Sequence, residues 1–321
     1  MTTPAEDFKQ EKPAPSRVDE VEHLGLRGVL SLILSSARVE HSGSSLRAHL
    51  LGTYEILKAW GAEPEVCLAG ALHSIYSTQF FARALIARGR RKEVAAVAGE
   101  TVERLVHLFG AIDRESIRSA ANRRVRAAGK GRLREYRRAR WVCASWPTIR
   151  ALRLIDIANE VEQLQREYGP PFGWLTDACA GFRSIDFVPS HLTADALLIK
   201  RGAERRLVRH YDEALAADGG VALRLFLRCA EEIPRCAEPR LLLSVHQLAA
   251  GDTESAYLNA QLGLNDLRGW GAAWDPRVPL RVWDMLGNQL IEAARNGLGE
   301  RPNIALEILH HLARASSASR C

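Results

Sequence analysis

The sequence predicts an all-α protein. Apolar residues recur three and four positions apart through most of the chain, and no segment alternates apolar and polar residues as a half-buried strand would. Gly and Pro breaks separate these periods at helix-like lengths. Of 321 residues, 47% are hydrophobic and 26% charged, enough for a sizeable core and for two domains of ordinary size.

In chain order, residues 1–17 hold three prolines among polar groups and are expected to form a disordered leader. Val21, Leu24, Leu26, Val29, Leu30, Leu32, Ile33 and Leu34 give a helical period over 18–37. His41-Ser-Gly-Ser-Ser then breaks the chain and offers a serine cap to a helix over Leu46–Trp60. Gly61-Ala-Glu-Pro64 is a stop and restart, Pro64 falling in the first turn of a helix that runs beyond His73. Further periods cover about 91–110, 115–127, 134–145 and 147–167. Gly169-Pro-Pro-Phe-Gly173 is a firm break, and a domain boundary is expected near 190, giving units at 18–189 and 190–321.

The second unit reads as helix pairs. Leu241–Ala250, a turn at Gly251-Asp-Thr-Glu, and Ser255–Leu267 form one pair, with Ala256, Tyr257, Ala260 and Leu264 as its inner stripe. A weaker copy lies at 204–233. This arrangement resembles a tetratricopeptide-type unit, which implies a helical-repeat-like half able to hold a protein partner. Trp270-Gly-Ala-Ala-Trp274-Asp-Pro-Arg277 is expected to pack, with Trp283, either closing the helical array or capping the first unit.

Several classes fall away. No apolar run approaches the roughly 18 residues that cross a bilayer, and Met1–Gln10 has no basic-then-apolar secretion pattern, so a cytoplasmic location is expected. The six cysteines contain no C-x-x-C pair, and Cys67 and Cys143 are expected as small core residues. The net charge of +6 concentrates between Arg114 and Arg140, where eleven Lys or Arg meet two acids. Tyr136 is the one aromatic in that run, so a solvated basic surface is expected there in preference to a nucleic-acid site. No G-x-S-x-G, P-loop, G-x-G-x-x-G or H-E-x-x-H occurs.

The informative block is His41-S-G-S-S-L-R-A-His49-L-L-G-T-Y, followed by A-L-His73-Ser74-I-Y-S-T-Q. The separation 73 − 49 = 24 and the Ala-Leu-His ending resemble the HD superfamily, with the spacing of the bacterial alarmone hydrolase domains. Leu154-Ile-Asp156-Ile-Ala resembles the late aspartate segment of such domains, and the likeness covers about 20–167. It implies a helical bundle in which imidazoles and a carboxylate from separate helices converge on one divalent cation.

Here the family's His-Asp pair is His73-Ser74, and Ser77 and Thr78 stand where the alarmone hydrolases carry Glu-Asp. Without those carboxylates no general base is evident, and the hydrolase activity is not carried over. The block also resembles HD-like proteins with Ser after the second His, a likeness that brings no known reaction.

His41, eight residues before His49, can fold toward the same pocket, giving a metal set of His41, His49, His73 and Asp156 suited to iron first, or to zinc or manganese. Tyr76 and Gln79 follow the second histidine closely and are the catalytic candidates lining the pocket, together with Tyr54 and Thr78. His107 is expected as a core or rim residue and His310-His311 as a surface pair. The expected function is a metal-dependent enzyme acting on a small molecule, oxidation favoured over hydrolysis. The competing reading is a non-catalytic degenerate HD scaffold.

Overall fold

A computed structural model describes residues 44–165, 173–297 and 302–318, together with Gly28, Ser31, Glu40 and His41. The expected leader lies outside the described residues, as do most of the period at 18–37 and of the Gly169–Gly173 break. The fold is all-α with two small antiparallel ribbons, β1 (Glu40–His41) with β2 (Ser44–Ser45), and β3 (Lys130–Arg134) with β4 (Trp141–Ser145).

Helix α1 (Leu46–Ala59) starts where the serine signal places it, the Ser45 hydroxyl accepting from Ala48 N at 3.2 Å. After Gly61, in the left-handed region at φ +75, α2 (Pro64–Leu72) begins on its proline and is buried from Val66 to Leu72. It ends one residue short of His73. Residues 73–76 form a turn and Ser77 is held at φ +69, so the helix expected to run beyond His73 stops before it.

The expected helix at 91–110 is two helices, α3 (Arg91–Ala98) and α4 (Glu100–Ala111), divided at Gly99 with φ +90 and ψ +152. The period at 115–127 likewise splits into α5 (Arg114–Ala120), capped by Asp113, and α6 (Arg123–Ala128), capped by Asn122. The stretch expected as a helix at 134–145 is instead the loop and second strand of the β3–β4 hairpin. Its inner face is Gly131, Leu133, Val142 and Ala144; with two of the four so small, the alternation is faint in the sequence. Cys143 consequently lies on the outer face and is exposed, not in the core. Helix α7 (Trp146–Leu164) follows directly and passes behind α1 and α2.

The second half holds α8 (Trp174–Ser184), α9 (Ala203–Leu215), α10 (Gly219–Glu232), α11 (Ala237–Ala249), α12 (Thr253–Trp270), α13 (Leu280–Arg295) and α14 (Asn303–Ala318). Helices α9–α10 and α11–α12 are the expected pairs; in the latter, Ala256, Ala260 and Leu264 are buried while Tyr257 is half-buried.

The two halves share one continuous apolar core. The Trp270–Arg277 segment runs through its middle. Trp60 Nε1 donates to the Trp270 carbonyl at 3.0 Å, and Gln165 exchanges two hydrogen bonds with the Ala273 backbone at 2.8 and 2.9 Å. Two buried carboxylates hold the segment from the other side. Glu204 accepts from Trp274 Nε1 at 2.9 Å, and Glu238 accepts from the Trp274 and Asp275 amides at 2.6 and 3.3 Å.

Candidate functional site: a buried histidine pair

His49 projects from the inner face of α1 and His73 from the end of α2, and their Nε2 atoms face each other at 3.1 Å. The rings meet edge to face, and both are wholly buried. Each ring is fixed through its other nitrogen. His73 Nδ1 donates to the Gly70 carbonyl at 2.7 Å, and His49 Nδ1 hydrogen-bonds the buried Glu162 carboxylate from α7. A carbonyl only accepts, so the proton of neutral His73 sits on Nδ1 and its Nε2 presents a lone pair toward His49.

Gly52 makes the Glu162 contact possible. A Cβ at that position would lie 2.7 Å from the Glu162 Cγ and 2.8 Å from its Oε1, so α1 admits the carboxylate only because this residue has no side chain. Glu162 was not singled out by the sequence, since Asp156 occupied that role. The two are six residues apart on one helix, which turns their side chains about 120° from each other. Both do not point the same way.

Asp156 is accordingly placed elsewhere. Its carboxylate is taken up by three guanidinium groups, Arg153 at 2.6 Å, Arg118 at 3.2 Å and Arg114 at 3.6 Å, with Glu160 beside them on Arg118 and Arg153. The expected four-residue metal set is therefore not assembled as drawn. Among the described residues, no group of three or more His, Cys, Asp or Glu is placed to hold a metal ion. For His41 the description covers the backbone alone, paired with Ser44 in the β1–β2 ribbon.

Arg114 joins the arginine cluster to the histidines. Its guanidinium lies over the Phe109 ring at 3.3 Å, and the His73 ring meets Phe109 at 5.2 Å. Burial pushes the Arg114 pKa down to about 10 against the pull of Asp156 and Glu160. Its Nη1, though 3.6 Å from Asp156, makes no hydrogen bond. Three arginines face two acids in this cluster, and a third acid, Glu162, stands on His49.

The two catalytic candidates have structural partners. Tyr76 is buried and donates its hydroxyl to Glu103 at 3.2 Å, on the carboxylate that Arg91 grips with two bonds of 2.5 and 2.6 Å. Burial, with Glu103 adding to it, raises the Tyr76 pKa above the ordinary tyrosine value, so the phenol stays protonated. Gln79 is exposed and accepts from Arg114 N at 3.2 Å, capping α5. Thr78 closes a tight turn with Phe81, and His107 packs against Tyr76, its pKa lowered mainly by burial.

The family described as "Domain of unknown function (DUF6817)" matches residues 32–114, which include His41, His49 and His73 and stop before Asp156 and Glu162. No curated protein and no solved structure matches the chain. Among the described residues, no helix is long and apolar enough to cross a membrane.

Proposed function

We propose that the chain is a metal-dependent enzyme acting on a small anionic molecule, with His49 and His73 supplying two imidazole ligands to one divalent cation. The observation that carries this reading is the 3.1 Å approach of the two Nε2 atoms with both Nδ1 atoms anchored. Two lone pairs so close repel unless a cation lies between them, either a proton or a metal. His49 and His73 would hold such a cation through these two Nε2 atoms, one imidazole from α1 and one from the end of α2. A carboxylate and a carbonyl on the far nitrogens are what ligating histidines ordinarily have.

Residues of the chain would supply orientation and charge. Glu162 and Gly70 fix the imidazole planes, and Arg114, whose Nη1 faces Asp156 without a hydrogen bond, meets the anionic part of the substrate. The cation would supply Lewis-acid or redox chemistry. An imidazole-rich donor set, with the nearby carboxylates engaged by arginines or by His49, favours a single redox-active iron and oxidation over a two-metal hydrolytic centre. Free thiols at Cys143, Cys179, Cys229 and Cys236 support a cytoplasmic, reducing setting.

Elemental analysis of protein from cells supplied with iron, zinc and manganese tests the reading. About one metal per chain is expected, lost in both His49→Ala and His73→Ala while the helical circular dichroism persists. A metal-free wild-type protein rejects it. That result would favour the second reading, a non-catalytic HD-like scaffold in which a proton bridges the pair, a reading supported by the complete burial of both rings.

A further inference from the structure

The β3–β4 hairpin brings together a surface that the linear sequence disperses. Residues Lys130, Arg132 and Arg134 alternate along β3 on its outer face, about 6.8 Å apart at roughly 3.4 Å per residue. Across from them on β4 lie Ser145, Cys143 and Trp141, in that order. Trp141 is 52% exposed, pairs directly with Arg134, and has the Arg132 guanidinium 5.3 Å from its ring centroid. The opposite face packs inward, Gly131 lying against Val125 and Ile149.

Two of the surrounding cations are ion-paired. Arg140 pairs with Glu135 and Arg126 with Asp186, while Arg137 donates to the neutral hydroxyls of Ser77 and Tyr136. Among the described residues, Arg123, Arg124, Lys130, Arg132, Arg134 and Arg138 are exposed and have no ion-pair partner. This leaves a row of cations beside one exposed aromatic face, with no acid on the outer face of the ribbon.

We propose that the outer face of this hairpin binds single-stranded nucleic acid, Lys130, Arg132 and Arg134 following successive phosphates and Trp141 stacking on an unpaired base. The spacing of alternate strand residues is comparable to that of neighbouring phosphates on an extended strand. A stacking indole selects unpaired bases over a duplex. The outer face offers no apolar group besides Trp141 and the small Cys143, too little to enter a bilayer.

A fluorescently labelled single strand, titrated with the full-length protein at increasing salt, reads the contact. Affinity is expected to fall with salt, log K against log salt having a slope of about −2 or steeper, from about −0.7 for each of three phosphates. The Lys130→Gln/Arg132→Gln/Arg134→Gln variant should flatten that slope by about 2. Trp141→Ala should weaken binding roughly tenfold with the slope unchanged, and Trp141→Phe should restore most of it. All four side chains are exposed, so circular dichroism should not move. Absence of salt-dependent binding, an unaltered triple variant, or tighter binding to duplex or to phosphatidylserine vesicles would overturn the assignment.

Discussion

Gly52 and Glu162 decide how His49 is held. Gly52→Ala puts a Cβ where the Glu162 side chain lies, which should push the carboxylate off the His49 nitrogen. Metal affinity should fall by about tenfold or more, the usual cost of losing such a supporting group, and Glu162→Gln should fall by a similar factor; isothermal titration with the metal found in the wild-type protein measures both. Asp156→Asn should behave oppositely. Leaving three arginines short of their shared anion should cost about 3–5 kcal/mol in denaturant unfolding, while metal content stays unchanged. Loss of metal in a still-folded Asp156→Asn protein would return that carboxylate to the ligand set. The approach of His49 to His73 was suggested by their separation of 24 positions and by the Ala-Leu-His ending of α2. Glu162 was not, because its link to His49 spans 113 positions and no local pattern announces it.

At the scale of elements, helix starts were easier to read than helix ends. Ser45 and Pro64 are local chemical signals and mark the starts of α1 and α2 where expected. The chain leaves the helix at Leu72 through the turn at 73–76, where the Ser77 carbonyl lies close against Gly110, and at Ala98 through the Gly99 conformation; neither interrupts the apolar period. Gly99 adopts a backbone conformation that other residues rarely enter, yet a Cβ there would meet nothing within 4 Å. Gly99→Ala should therefore cost about 1–3 kcal/mol through backbone strain alone, seen as a lower urea midpoint with an unchanged m-value. A cost near zero would mean that the α3–α4 junction relaxes. The hairpin was missed because its inner face uses Gly131 and Ala144, and its outer face reads as one more stretch of basic helix.

For the whole molecule, the boundary expected near 190 does not divide the core. Ser190 N donates to the Trp60 carbonyl at 3.0 Å, and the Trp270–Arg277 segment is bonded to both halves. Thermal unfolding should accordingly show one transition by far-ultraviolet dichroism and tryptophan fluorescence alike. Two separated transitions would show that the halves unfold independently.

Two buried groups give this stability opposing pH dependences. Burial pushes the Glu238 carboxyl up to about 7, so the folded chain keeps a proton that the unfolded chain releases, and stability declines as pH rises from about 4.5 to 7. Burial pulls His191 down to about 4, so its contribution is present above pH 6.5 and is lost as pH falls toward 4. The two offset each other in mildly acidic solution, and above pH 6.5 the Glu238 decline remains. Glu238→Gln keeps an acceptor for the Trp274 amide and removes the titration. Relative to wild type it should gain on the order of 3 kcal/mol between pH 4.5 and 7.5, read from urea midpoints.

The outward turn of Cys143 has a practical consequence. Cys67, Cys179, Cys229 and Cys236 are buried, and burial raises the thiol pKa of Cys179 and Cys229 to about 12. With Cys321 replaced by serine, a maleimide dye would therefore settle on the strand facing Arg132, reporting on whatever approaches the ribbon without altering a single cation.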